Sequence, residues 1–485
     1  MMDPNLFPSE ENAMSLHLVQ QSSQEEEFER LNFEGAPRIV VKPPGPASKV
    51  ILDEQKKLDS NAIYYPIHYP AAFDEGRGCT LKDLDGNLFL DLIGASGVLS
   101  LGNSHPVIIE AITKQLNKLA SILDCATVPR IELLKRLHEI APGGLRGMNS
   151  KVLLGSPTGT DAVEAALKLA RSFTGKQGIL TFQGGYHGQT VGALAVSSKT
   201  TFRSVVPMMP LIYSAPFPYT YRWPFGNVVD EEDCKDSCLN YIDYLLTDPD
   251  SGIVDCAAVI IEPIQGEGGV TVPPKGFMKE LQKICNEKSV LLIVDEVQTG
   301  LARTGKMWAC EYDGVTPDIM CMGKGLSGTG IINAGIIYKK ELDTWKHGAH
   351  VGSNRGSPLA CATSCATIDY IRQQGLVERS EKIGNYILNQ LQERLGTNKF
   401  VGEIRGRGLL LAIELVLDKK TKKPATELTE KIMKRLFERG VMVEDAGHFA
   451  NCLRLIPPLT IPVSTIDSAM EIIEDVVKEV GSEIA

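Results

Sequence analysis

The chain has 485 residues, of which 43% are apolar and 23% charged, with a formal net charge of −10. That composition suits a large globular protein with an extensive core. The acid excess argues against a nucleic-acid or anionic-membrane surface, and no apolar run approaches the roughly 20 residues that a membrane-spanning helix needs.

Residues 1–35 are polar and acidic, with no basic start followed by an apolar stretch; they predict a flexible tail, not a secretory or mitochondrial leader. The eleven cysteines are scattered, without a CxxC pair or HxxxH companion, which argues against a metal site and for a reduced, cytoplasmic chain. Pro37 to Pro46 reads as an extended arm, because its prolines bar helix. Cys79 to Leu92 predicts a hairpin turning on Asp85-Gly86-Asn87. Ile108, Ile109, Ile112, Leu116 and Leu119 then recur at helical spacing.

From Lys151 the pattern becomes strand, glycine-bearing turn, helix. Val152 to Leu154 leads into Gly155-Ser156-Pro157-Thr158-Gly159-Thr160 and a helix from about Asp161 to Ser172. Such a turn has two readings: backbone N–H groups at a helix start that hold an anion, most often phosphate, or a tight turn capped by Thr158 or Thr160. Neither a dinucleotide GxGxxG opening a helix nor a GxxxxGK[ST] P-loop is present. The strand Gly178 to Phe182 precedes a glycine loop carrying Tyr186 and His187, and the strand Ala257 to Ile261 ends on Glu262, Gln265 and Glu267.

Two further strands organise the chain. Val290 to Val294 ends on Asp295-Glu296, and Ile319 to Met322 ends on Gly323-Lys324-Gly325. Strand–helix alternation implies a mainly parallel sheet, whose carboxyl edge is where ligands bind. An acid and a lysine at that edge form either an ordinary salt bridge or a cofactor site, with a carbonyl cofactor on Lys324 and its ring nitrogen on Asp295. A strand over Ala334 to Tyr338, a polar loop over 348–357 and a helix over Ala360 to Gln373 follow. The last hundred residues predict an α+β unit: helices over Val377 to Leu395, Glu427 to Arg439 and Thr465 to Val480, with strands at Leu409 to Ile413, Val441 to Val443 and Leu453 to Ile456.

Together these stretches resemble the class III aminotransferases, pyridoxal-phosphate enzymes of fold type I, over roughly residues 36–480. The most specific segment is VDEVQTGLARTGKMW with Pro317-Asp318 and Lys324 at the expected separation. The resemblance implies a large α/β domain over 107–354 with a seven-stranded, mostly parallel sheet. It also implies a smaller α+β domain made from 36–106 and 355–485, and a homodimer with active sites at its interface. Lys324 matches the lysine that binds pyridoxal 5'-phosphate covalently and moves the substrate proton. Asp295 matches the partner of the ring nitrogen, and Gln298 that of the ring hydroxyl. Gly159 and Thr160 match the phosphate-binding amides, and Tyr186 with His187 the ring-stacking pair. Ser353 stands where a hydroxyl reaches the phosphate of the neighbouring subunit's cofactor.

Arg405 resembles the arginine that grips a substrate carboxylate, though on local pattern alone it is a surface arginine in a turn. Glu267 resembles the gate glutamate that pairs with that arginine when an ω-amino group enters. The implied activity is transfer of an amino group from an ω-amino or diamino acid such as ornithine, 4-aminobutyrate or 2,4-diaminobutyrate to a 2-oxo acid such as 2-oxoglutarate. The alternatives are an amino-acid racemase or epimerase of the same family and a catalytically inactive binding homologue. Departures from the family pattern bear on the substrate. Gly155 to Asp161 is similar to the diaminobutyrate branch, whereas Asp295 to Gly300 is similar to the ornithine and 4-aminobutyrate branches. Ala302, Thr329-Gly330-Ile331 and Asn354-Arg355 replace commoner residues.

Overall fold

The computed structural model describes residues 23–204, 207–226 and 230–484. Its centre is a seven-stranded sheet in the order Ser150–Leu154, Gly335–Lys339, Ile319–Met322, Leu291–Asp295, Cys256–Ile261, Gly178–Phe182, Ile212–Ala215. Every pairing is parallel except the two made by Gly335–Lys339, which runs antiparallel to both neighbours. The inner strands are near-continuous apolar runs because both faces are covered. Ala258, Ile260, Ile293, Ile319 and Cys321 turn to one face, where the helix Gly159–Thr174 packs through Ala162, Val163, Ala166 and Ala170. Val259, Ile261, Leu292, Val294, Met320 and Met322 turn to the other face and join the main core with Phe182, Phe217 and Phe277. The two-residue alternation of strand side chains thus divides one apolar sequence between two layers.

Two smaller sheets flank this layer. In the first, the hairpin of Thr80–Asp83 and Leu88–Asp91 forms as expected. The Asp83 carboxylate accepts the Asp85 and Asn87 N–H groups (3.0 and 2.8 Å), and Gly86 takes a φ of 87° in the turn. Phe73–Arg77 adds on one side, and Val441–Met442 adds in parallel on the other, joining the two ends of the chain in one sheet. The second contains Val401–Arg407, Leu410–Asp418, Cys452–Leu455 and Glu444–Ala446. The helices Leu376–Leu395, Thr426–Glu438 and Val463–Ile484 complete the C-terminal part.

The expected flexible tail over 1–35 needs correction. Residues 1–22 lie outside the described residues, but 23–30 are helical. Phe28 is fully buried under the Arg379 guanidinium, 4.7 Å from its ring, and Glu25 pairs with Arg379 at 2.6 Å. One aromatic residue and the polar side chains around it, among them Glu25, Glu27 and Glu29, dock this acidic stretch. The expected arm is short: Arg38 exchanges backbone hydrogen bonds with Leu88, and the helix Pro46–Leu58 begins on the proline that ends the arm. Among the elements not anticipated are the helices Val128–Ile140 and Glu231–Thr247 and the edge strand Ile212–Ala215. The first buries only Leu133, Leu137 and Ile140, so its apolar periodicity is faint. Among the described residues, no helix is long and apolar enough to cross a membrane.

Candidate active site

A cavity of about 410 Å³ opens at the carboxyl edge of the central sheet. Five strand ends feed it, for the geometric reason that parallel strands deliver their following loops to one side. Gly159 and Thr160, Tyr186 and His187, Glu262 and Glu267, Asp295 and Gln298, and Lys324 all line it.

Lys324 follows the strand Ile319–Met322 directly. Its φ of 37° is left-handed, and a single 3-10 turn over Lys324–Ser327 begins there. A non-glycine residue held there carries strain that the surrounding packing must maintain. Here Ser100 Oγ donates to Gly325 O at 2.6 Å and Leu326 N to Gly323 O at 3.0 Å. Burial holds the Lys324 amine below its ordinary pKa, Glu267 pulls it back up, and Arg454 pushes it down. The net direction favours the neutral, nucleophilic amine.

Asp295 ends its strand with both carboxylate oxygens fixed. One accepts the Val297 N–H at 3.0 Å, and the other meets His187 Nδ1 at 2.7 Å. Burial alone would lower the His187 pKa, but the bond to Asp295 and the charges of Asp295 and Glu262 outweigh it and raise it. Tyr186 and His187 both face the cavity, and the link from His187 to Asp295 is a contact that sequence did not suggest. Glu262 accepts the Tyr186 and Gly266 N–H groups (2.9 and 3.0 Å), and burial pushes its carboxyl up to about 7. Glu296 turns away from the cavity and accepts from Cys310 N and Thr299 Oγ1.

The turn before Gly159–Thr174 lacks the side-chain cap that the capped-turn reading requires. The N-cap residue Thr158 makes no side-chain cap, and Thr160 Oγ1 is engaged with Thr190 Oγ1 at 2.7 Å. The first-turn N–H groups therefore lack a side-chain acceptor beside a cavity, with the positive end of the helix dipole behind them. Close approach fixes two glycines: a Cβ on Gly159 would stand 2.6 Å from Val297, and one on Gly188 (φ 124°) 2.4 Å from Thr160. Asp161 accepts from Ser156 N (2.8 Å) and Arg355 (2.6 Å), which ties the 348–357 loop to the cradle. Ser353 in that loop is exposed and is not among the residues lining this chain's cavity.

The expected pairing of Glu267 with Arg405 is not what the structure shows. Glu267 pairs with Arg454 at 2.6 Å, and the fully buried Arg454 also pairs with Glu444 at 2.8 Å. Gln298 spans to this cluster, donating to Ser96 O and accepting from Arg454, both at 3.4 Å. Arg405 is neither a cavity residue nor a surface turn residue. It lies in the strand Val401–Arg407 with its side chain only 9% exposed, pairs with Glu403 and Glu414 (2.6 and 2.7 Å) and donates twice to Gly269 O. It thus buttresses the loop that carries Glu267. The missed residue, Arg454, had a signal: a lone charge inside the apolar strand Leu453-Arg454-Leu455-Ile456.

These groups suit pyridoxal phosphate. The uncapped helix start offers donors to a phosphate, the fixed Asp295 carboxylate an anion to a protonated ring nitrogen, and Lys324 an amine to an aldehyde. The model of the class III aminotransferases matches residues 64–477. The chain belongs to that family. It is similar to the diaminobutyrate–2-oxoglutarate aminotransferase of Rhizobium meliloti, at 37% identity over 86% of this chain and 90% of that one. It is also similar to the alanine/serine racemase of Pyrococcus horikoshii, at 35% identity over 91% and 93%. Among solved structures, the ornithine aminotransferase of Toxoplasma gondii superposes with a TM-score of 0.77 at 27% identity, over 90% of this chain and 95% of that chain. The aminotransferase is a fold type I enzyme that uses pyridoxal phosphate, and its substrates are amino and oxo acids.

Proposed function

We propose that this aminotransferase moves the amino group of an ω-amino or diamino acid to a 2-oxo acid such as 2-oxoglutarate, with Lys324, Asp295 and the Glu267–Arg454 pair at the centre of the site. Ornithine, 4-aminobutyrate and 2,4-diaminobutyrate are the donors with which we would begin. The observation that carries the proposal is one cavity lined by a lysine of depressed pKa, a carboxylate fixed at both oxygens and Glu267, which pairs with the buried Arg454. Bound pyridoxal phosphate supplies an electron sink that acidifies the carbon bearing the reacting nitrogen. Lys324 Nζ takes that proton and returns it, and burial keeps the amine ready to accept it. Asp295, held by His187 and Val297 N, would pair with the protonated ring nitrogen of the bound cofactor. Arg454 gains a free face for a substrate carboxylate only when Glu267 turns aside.

The kinship with a racemase supports a second reading, which needs another proton carrier. Besides Asp295, the carboxyls lining the cavity are Glu267 and Glu262. Glu267 is held below the usual carboxylate range, mainly by Arg454 against the opposing effect of burial, and so is a poor acid. Both Glu262 oxygens already accept backbone N–H groups. These restraints favour transamination. We also place the enzyme in the cytoplasm as a homodimer. Ile122, Leu123, Val128 and Ile131 are exposed beside the Ser353 loop, which Ser121 Oγ touches through Asn354 at 3.2 Å. A second copy covering this apolar segment would carry Ser353 toward the partner's site.

Donor profiling with 2-oxoglutarate, run alongside exchange of the substrate Cα proton with deuterated solvent, tests the assignment. Amino transfer with formation of an oxo product is expected. Exchange with inversion and no oxo product would replace it with the racemase.

A further inference from the structure

Arg454 is shared. Its two terminal nitrogens reach different carboxylates, Glu267 at 2.6 Å and Glu444 at 2.8 Å, and its Nε has no hydrogen-bond partner among the described residues. Glu444 is held in turn by Tyr65 Oη at 2.9 Å and Ser96 Oγ at 2.8 Å. Ser96 belongs to the wall that Gln298 touches, and Glu444 is near enough to influence the Lys324 amine electrostatically. Two acids, the buried Glu444 and the partly exposed Glu267, share one guanidinium and leave a surplus negative charge in this cluster. Lys199 approaches Glu267 only at 3.9 Å, from a partly exposed side chain whose charge solvent screens.

We propose that Glu444 is a specificity-determining residue: by sharing Arg454 with Glu267 it keeps this end of the site net-anionic, so that a donor whose far end is an ammonium is preferred to one whose far end is a carboxylate. The inference rests on the aminotransferase reading and narrows it to diamino donors. A one-to-one arginine–glutamate pair would present no net charge to either kind of donor. The additional carboxylate biases the site, because a charge in a poorly hydrated cavity acts over several ångströms with little screening. Its three protein donors, Arg454, Tyr65 and Ser96, fix the Glu444 carboxylate without help from a substrate.

The test compares two donors of similar length, 1,4-diaminobutane and 4-aminobutyrate, which differ in the sign of the far group. Glu444→Gln should lower the ratio of their kcat/KM values by about fivefold or more, the effect of one unit charge at several ångströms in a partly screened site. Glu444→Asp keeps the charge and should keep the ratio. Glu403→Gln removes an acid bound to Arg405, outside the cavity lining, and should leave the ratio unchanged. Should Glu444→Gln fail to fold, as read from its thermal melt, Glu444→Met carries the same measurement. Calorimetric titration of the holoenzyme with glutarate, an unreactive dianion, should show tighter binding in the uncharged variant. An unchanged ratio, or an equal change with Glu444→Asp, overturns the proposal. If the parent enzyme uses neither donor, donor profiling decides separately for the aminotransferase reading and glutarate affinity decides for Glu444; equal or undetectable glutarate binding in both proteins also overturns it.

Discussion

Arg454→Met removes a guanidinium that is fully buried and serves two carboxylates. Breaking a buried ion pair from one side costs about 3–5 kcal/mol, because the remaining charge is left without compensation. The lower half of that range applies here, since Glu444 keeps its bonds from Tyr65 and Ser96 and Glu267 keeps Lys199 at 3.9 Å. The loss must also depend on pH. Glu267 is depressed in the folded parent, so its contribution is present above its unfolded pKa and is lost as pH falls through the folded one. In the variant that depression disappears, so the difference from the parent is largest near neutrality and shrinks in acid. Urea unfolding of parent and variant at pH 7.5 and pH 5 measures both features. Adding Glu267→Gln to Arg454→Met should recover about 1 kcal/mol or more, because one of the stranded charges is gone. A penalty below about 1 kcal/mol at pH 7.5, or one that neither acid nor Glu267→Gln relieves, would refute the clamp as a coupled electrostatic unit.

Lys324→Ala should release the cofactor on gel filtration, abolish the visible absorbance of the bound form and end turnover; a coloured, active variant would overturn the assignment of Lys324. Gly188→Ala places a methyl group 2.4 Å from Thr160 Oγ1 at a φ of 124°, so titration with pyridoxal phosphate should show affinity weakened by about tenfold or more, roughly 1.4 kcal/mol. Unchanged affinity would remove the Gly188–Thr160 contact from the cradle. Glu262, raised from 4.5 to about 7 by burial, binds its proton more tightly when folded, so the parent loses stability as pH rises from about 4.5 to 7. That loss is on the order of 3 kcal/mol, and Glu262→Gln should flatten it in denaturant midpoints measured across this range; an equally steep profile would show that another group carries it.

The parts of the site that were legible in sequence are those fixed by chain-local geometry. A strand that ends on a charged residue places that residue at the sheet edge whatever the rest of the fold does, which is why Asp295, Lys324, Glu262 and the Tyr186–His187 loop gather in one cavity. The turn at Gly159 was legible for the same reason, because it opens the helix that follows a strand. The docked helix over 23–30 was not legible, since its place depends on Phe28 meeting Arg379 some 350 residues later. The ties between His187 and Asp295 and between Tyr65 and Glu444 likewise join segments that no local pattern relates.

The exchange of Arg405 for Arg454 shows where the boundary lies. In the five-stranded sheet Arg405 stands opposite Ala412, Ala412 opposite Arg454, and Arg454 opposite Glu444. Residues directly opposed across strands project from the same face, so all four occupy one rung on one side of the sheet. The family resemblance therefore selected an arginine on the same rung and face as Arg454, but two strands away, a displacement of about 10 Å at the usual strand spacing. At that distance Arg405 meets the backbone of the Glu267 loop instead of its carboxylate. Strand order, which sets Cys452–Leu455 between Leu410–Asp418 and Glu444–Ala446, decides which of two similar arginines pairs with the Glu267 carboxylate.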